Sequence, residues 1–471
     1  MAEVLQHKLG LFGPKIELQI APDGLTLSGL SGPGSVEYAP ISDVSDVVVD
    51  RRGRKSDLRV NYGERRPSWL LTGVATDAAE WAAAVISENK SVIDKQGKAE
   101  YTRPVAFESI GATASTMAAQ RDGRAAVDLV DFFLMQGALH GASDVHFDPY
   151  ADSVIVRFRM DGILRDAATL DSGLKRRLTA RLKVVSRLAT YKKSVAQEGR
   201  AAARLGDRTI DFRFSSIPTI HGEKMAVRVF DPAKSNFTLD RLGMNPEMLA
   251  AFQETLLRPQ GTVLLTGPSG SGKTTTIYAA LGFLHENRKN LASIATVEDP
   301  VELDLRTVNQ TQVNTAAGLT FASALRTVLR QDPEVIMIGE IRDAETAEIA
   351  VQAGLTGHMI LSTVHARSAA GVLLRLLELG VEPYLLASSV SAVLSQRLVR
   401  TVHRTDYSGR TGLFEFLPVT DAMRELVLRR VSLTELEQQV QREGVKTLLD
   451  DGRDKVKAGI TTQEELDRVL G

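Results

Sequence analysis

Apolar and polar residues alternate early in the chain: Ile16, Leu18 and Ile20 are followed, across an Asp23-Gly24 turn, by Leu25 and Leu27. A period of two interrupted by a turn predicts paired strands. Strand-like pieces recur at 46–50, 57–62 and 69–72. The segment TDAAEWAAAVISEN then shifts to helical spacing, opening on an Asp77…Glu80 capping box and setting Trp81 with Val85, and Ala82 with Ile86, on one face. Residues 1–92 are therefore expected to be a β-rich domain closed by a helix whose Trp81 anchors the core.

The pattern fades over 93–125, where Pro104 and several glycines break a polar stretch, and this segment reads as linker. AVDLVDFFLMQGAL restores helical spacing, VIVRFRMDG at 154–162 alternates, and KRRLTARLKVVSRLA is a basic helix. Together they predict a second, smaller α/β domain over 126–235. In the third, 236–400, the runs GTVLLTG, ASIATVED, EVIMIGE and HMILSTVH are short, rich in Val and Ile, and separated by helix-length segments. That is the pattern of a buried parallel sheet. Residues 401–471 are expected to be helical, with capping-box spacings at Ser432…Glu435 and Thr462…Glu465.

Charge and composition narrow the choice. The 57 basic and 58 acidic residues nearly cancel, so no global field recruits nucleic acid, and no nucleic-acid partner is expected. No apolar run of about 18 residues and no signal-peptide pattern occurs, which points to the cytoplasm. The chain has no cysteine, which removes disulfides, thiolate metal sites and cysteine nucleophiles.

The chemistry is concentrated in the third domain. Gly267, Pro268, Ser269, Gly270, Ser271, Gly272, Lys273 and Thr274, followed by Thr275, match G-x-x-x-x-G-K-[ST] between an apolar strand and a helix. Such a loop turns backbone N–H groups onto phosphates, with Lys273 at the β and γ phosphates and the Thr274 hydroxyl on Mg²⁺. A second strand ends in Glu298-Asp299, where Glu298 is expected to orient or deprotonate the attacking water. A third leads to Glu340, expected to hold Mg²⁺ through water. His358 and His365 bracket the last strand; His365, at its carboxyl end, is a candidate sensor of the γ-phosphate and His358 a structural residue.

GPSGSGKTTT, TVEDPVE, LRTVLRQDPEVIMIGEIRDAETAEIAVQAGLTGHMILSTVHA and GRTGLFEFLPV, with GASDVHFDPYADSVIVRFRMDGIL and QEGR upstream and KTLLDDGRDKVKAGITTQEELDRV downstream, resemble the GspE/PulE/PilB family of type II secretion and type IV pilus assembly ATPases over about 126–471. The resemblance implies an α/β fold: a RecA-like P-loop ATPase domain preceded by a PAS-like α/β domain. The first domain resembles a pleckstrin-homology-like (PH-like) domain by its order of elements. The family also implies a homohexamer using ATP and Mg²⁺, peripheral association with the inner membrane, and a platform protein as partner. Arg213 in IDFRFSS and Arg228 in AVRVFD would supply charge to the phosphates, with Arg326 and Arg330 as further candidates. The chain departs from the family in lacking the paired CxxC segment, so no zinc is expected. A retraction-type pilus motor and a nucleotide-sensing scaffold with negligible turnover are the alternatives.

Overall fold

The N-terminal alternation does become strands. The computed structural model describes residues 3–8, 15–20, 24–28, 36–40, 44–52, 55–62, 69–75, 103–119, 125–231, 238–288, 293–403 and 406–471. Strands β1 (Glu3–Lys8), β2 (Lys15–Ile20), β3 (Gly24–Ser28) and β4 (Val36–Pro40) pair in order as one antiparallel sheet. A second is formed by β5 (Val44–Arg52), β6 (Lys55–Tyr62) and β7 (Trp69–Ala75). Leu58 and Val60, two apart on β6, are buried, as a period of two requires. The helix expected around Trp81 lies outside the described residues.

The chain divides into two compact units, 1–232 and 233–471. The first unit continues through α1 (Ile110–Ala118), α2 (Ala125–Leu139), β8 (Asp144–Pro149), β9 (Ser153–Met160), β10 (Ile163–Asp171), α3 (Lys175–Val185), β11 (Gln197–Leu205), β12 (Arg208–Thr219) and β13 (Gly222–Phe230). The six strands form one antiparallel sheet, β10-β9-β8-β13-β12-β11. One face buries Val145, Phe158, Phe212, Phe214 and Val227 against Phe133, Leu178 and Leu182 of the helices.

Here the linker expected over 93–125 is corrected. Residues 110–118 are helical, and Ile110 and Ala114 belong to the same core. Val105 N donates to Gln136 Oε1 at 2.9 Å, fixing the approach to α1. A helix that buries only an isoleucine and an alanine, among Gly, Thr and Ser, leaves almost no apolar period in the sequence.

The second unit is built on seven strands in the order β16-β15-β17-β18-β14-β19-β20. Its elements are α4 (Pro246–Leu256), β14 (Gly261–Thr266), α5 (Lys273–Asn287), β15 (Ile294–Glu298), β16 (Asn309–Gln312), α6 (Phe321–Val328), β17 (Val335–Ile338), α7 (Ala344–Leu355), β18 (Met359–Thr363), α8 (Ala369–Glu378), α9 (Pro383–Ser389), β19 (Val390–His403), β20 (Asp406–Pro418), α10 (Asp421–Leu428), α11 (Leu433–Arg442), α12 (Leu448–Lys457) and α13 (Gln463–Leu470). All strands run parallel except the edge strand β20. The four apolar runs are β14, β15, β17 and β18. Leu264, Ile336, Ile338 and Ile360 pack into one core, while Val263, Leu265, Met337 and Leu361 enter another. Burial on both faces is why these runs are continuous rather than alternating.

Residues 401–403 and 406–418 correct a second expectation, since the first extend β19 and the second form β20 rather than helices. The helices begin at Asp421 and are held to these strands by buried charge: Asp451 accepts from Phe414 N at 2.9 Å and pairs with Lys455 at 2.5 Å. The Ser432–Glu435 box closes reciprocally. At Thr462 only half of the box forms, because the fully buried Glu465 instead binds Arg400 and Arg468, each at 2.7 Å. Burial raises the Glu465 pKa, but the two guanidinium groups outweigh it and hold the carboxyl at about 2.

Because that value lies below the ordinary 4.5, the stabilisation is complete above pH 4.5 and disappears as pH falls toward 2. Glu465→Gln is expected to lower stability at pH 7 by about 3 kcal/mol, measured by urea denaturation. The gap to the unmodified protein should shrink in acid. Equal midpoints at pH 7 would dismiss the carboxylate as an anchor.

Candidate active site

Strand β14 ends at Thr266, and the chain then turns into α5 through Gly267–Gly272. Two glycines are required there by contact. A Cβ on Gly267, at φ +146°, would lie 2.4 Å from the Gln396 carbonyl oxygen, and one on Gly272, at φ +87°, would lie 2.8 Å from Gln396 Nε2. Lys273 Nζ donates to the carbonyls of Gly267 and Pro268 at 2.8 and 3.0 Å. Burial lowers its pKa, Glu340 opposes that shift and Arg397 adds to it. The helix has no side-chain cap, and Ser271 Oγ is buried without a hydrogen-bond partner. Uncapped N–H groups, a buried hydroxyl and a lysine at a helix N-terminus fit an anion such as a phosphate chain.

The two acids differ sharply in surroundings. Glu298, 2% exposed, accepts from Tyr278 Oη, from Thr296 Oγ1 at 2.6 Å and from Gln310 Nε2 at 2.9 Å. It ties the P-loop helix to β15 and β16, and it drives the Tyr278 pKa upward, second to burial. Glu340 follows β17 and is partly open, with Arg342 on one oxygen and His365 Nε2 3.8 Å from the other. His365 is thus brought beside Glu340, while His358 Nδ1 lies 3.1 Å from the Ala353 carbonyl at the far end of β18. Thr266 Oγ1 donates to Ala366 O at 3.0 Å and accepts from Ala366 N at 3.1 Å, locking the segment after His365 to the end of β14.

In the first unit Arg213 and Arg228 are direct cross-strand partners. Arg200 faces Arg213 on the other side, and Asp144 and then Arg159 continue the row across β8 and β9. Residues in register share a face, so four arginines and one aspartate line the sheet face opposite the core. Asp144 lies 3.7 Å from Arg228 and 3.5 Å from Arg159. Like charges set opposite one another are unfavourable, and such a row is suited to an anionic ligand. Arg326 pairs with Glu345 at 2.6 Å, and Arg330 donates to the Arg326 carbonyl.

The sequence signature of the family described as Type II/IV secretion system protein matches residues 119–468. The chain belongs to this family. It is 43% identical to the type II secretion system protein HxcR of Pseudomonas aeruginosa, over 74% of this chain and 78% of that protein. It is 40% identical to the type II secretion system ATPase E of Vibrio cholerae (73% and 75% covered) and 39% identical to the type IV pilus assembly ATPase PilB of Acinetobacter baylyi (74% and 67%). Two solved structures share its fold: the ATPase DotB of Legionella pneumophila (TM-score 0.58, 21% identity, 73% and 94% covered) and the pilus retraction motor PilT with bound ADP (0.52, 24%, 70% and 93%).

As a secretion-family protein the chain is an ATP-hydrolysing enzyme of the secretion and pilus-motor class, which carries nucleotide and Mg²⁺ binding with it. Among the described residues no cluster of three His, Asp or Glu side chains is placed to hold a metal. A metal at this loop would instead rest on phosphate oxygens, the exposed Thr274 hydroxyl and water toward Glu340, where it would withdraw charge from the phosphates. No helix among the described residues is long and apolar enough to cross a membrane.

Several residues around the secretion-family site escaped the sequence reading. Tyr278 and Gln310 sit on separate elements, α5 and β16, and both donate to Glu298. Arg200 and Arg159 are placed in the row by strand register, which motif spacing does not contain. Gln396 reaches the P-loop from β19, more than a hundred residues later.

Proposed function

We propose that this secretion-family ATPase works as a homohexameric motor at the inner membrane, driving type II secretion or type IV pilus assembly through a platform protein. The assembly reading is supported by relatives near 40% identity, whereas the likeness to a retraction motor rests on fold. Lys273 neutralises the β and γ phosphates and Thr274 shares the magnesium. Glu340 takes two parts: it faces the metal-bound water and orients the water that attacks the γ-phosphate. His365, beside it, follows loss of that phosphate. Arg213 and Arg228, brought by the α/β unit of the same or a neighbouring subunit, stabilise charge on the transferring group.

The single observation that carries the assignment of Glu340 is its partial exposure beside His365, with its charge felt at Lys273. Glu298 then acts as a positioning residue, its oxygens committed to Tyr278, Thr296 and Gln310. A sensor with negligible turnover would need no open carboxylate at this place. Purified full-length protein is expected to release phosphate from ATP, and to stop when magnesium is chelated. Tight ATP binding with no phosphate release over many hours would favour the scaffold reading.

A further inference from the structure

The sequence pointed to nothing on β19, yet this strand runs parallel to β14, with Thr266 opposite Ser395, and so delivers Gln396 and Arg397 to the P-loop end of the sheet. Gln396 is buried, and its Oε1 accepts from Thr276 Oγ1 of α5 at 2.8 Å. With its carbonyl against Gly267 and its amide against Gly272, it seats the loop at both ends. Arg397 Nη1 donates to the same carbonyl at 2.9 Å and lies 3.2 Å from where a Gly267 Cβ would stand. The guanidinium therefore rests at the start of the phosphate loop.

It is half-buried there and, among the described residues, forms no ion pair. Glu415 is the acid whose field reaches it, but that carboxylate accepts from the backbone N–H groups of Ala369 and Leu448, at 3.4 Å each. Lys273 and Arg397 thus face one loop as two partly desolvated cations that repel one another. An arrangement of that kind is unfavourable unless an anion joins it.

Strand order gives the direction. Glu340 after β17, His365 after β18 and Glu298 at the end of β15 all lie on one flank of β14, and β19 is on the other. Since the phosphate being cleaved must face the acids, the remainder of the nucleotide extends toward β19. We infer that Arg397 is a nucleotide-binding residue whose guanidinium holds the α-phosphate and ribose end, contributing to affinity for ATP and ADP alike and not to bond cleavage. This rests on the nucleotide site proposed above.

The test is titration of the full-length protein with fluorescent ADP and with a non-hydrolysable ATP analogue, both with magnesium. Arg397→Gln is expected to weaken both by the same factor, about tenfold to a hundredfold, as for loss of a charge-assisted hydrogen bond. KM for ATP should rise in parallel while kcat at saturation stays within about twofold. Arg397→Lys, which keeps the charge and the buried stem but not the planar fork, should recover part of the affinity, and it carries the test if the glutamine variant does not fold. Affinities unchanged in both variants, or a fall in kcat at unchanged affinity, would overturn the inference. Lys273→Ala separates the two claims: if it binds ADP as well as the unmodified protein, the P-loop reading itself fails, whereas if it loses ADP and the Arg397 variants do not, only Arg397 is displaced.

Discussion

Glu340→Gln is expected to bind ATP as the unmodified protein does and to turn it over about a thousandfold more slowly, the scale of a lost general base or water-orienting group. Glutamine fills the same space and can still accept one hydrogen bond, so nucleotide affinity and thermal stability should hold. What it cannot do is take a proton or present a full negative charge to the water. Glu298→Gln should behave differently. Its carboxylate accepts from three side-chain donors in a buried pocket, and an amide there turns one acceptor into a donor. A stability loss of about 1–3 kcal/mol is expected, with turnover reduced only as far as α5 shifts. Phosphate release, ATP titration and melting curves on the two variants give opposite patterns. If Glu298→Gln is the one that stays stable and loses turnover, the roles assigned to the two acids exchange.

That contrast marks where the sequence was legible and where it was not. The P-loop, β14, β15, β17 and β18 were readable because each is a local pattern: a glycine spacing, or an apolar run buried on both faces. Both acids stood out in the sequence for the same reason, since each lies at or just after the end of such a run. Their different environments were not readable, because groups that enclose Glu298 come from α5 and β16, and His365 reaches Glu340 from the end of β18. The errors of domain extent fall where the local pattern is weak. Residues 110–118 look polar because Ile110 and Ala114 are nearly all that the helix buries, and β20 was missed because its first half, DYSGR, is polar and mostly exposed and carries no apolar alternation. The two charged clusters on β19, Arg397 at the P-loop and Arg400 at Glu465, lie three residues apart on a strand that sequence reading assigned no chemistry.

Arg228→Ala should reduce turnover about a thousandfold, within the range for arginines that stabilise phosphoryl-transfer charge, while changing ATP affinity by less than about tenfold. In the row across β11, β12 and β13, Arg200, Arg213 and Arg228 stand opposite one another, and Asp144 is the one acid in register with them. Arg228 is 65% exposed and its nearest carboxylate is 3.7 Å away, so it contributes little to folding. Removing it should relieve repulsion, leaving the melting temperature equal or slightly higher, which a structural arginine would not do. Arg228→Lys should remain impaired, since a point charge lacks the fork that binds two phosphate oxygens. A mixing experiment then asks whose phosphates the arginine serves. Arg228→Ala and Glu340→Gln are each inactive alone, but if the arginine acts on a neighbouring subunit, mixed rings contain interfaces with both groups intact and recover activity. If the arginine acts within its own chain, mixed rings stay inactive. Unimpaired turnover in Arg228→Ala would return the arginine row to the role of a solvated sheet face.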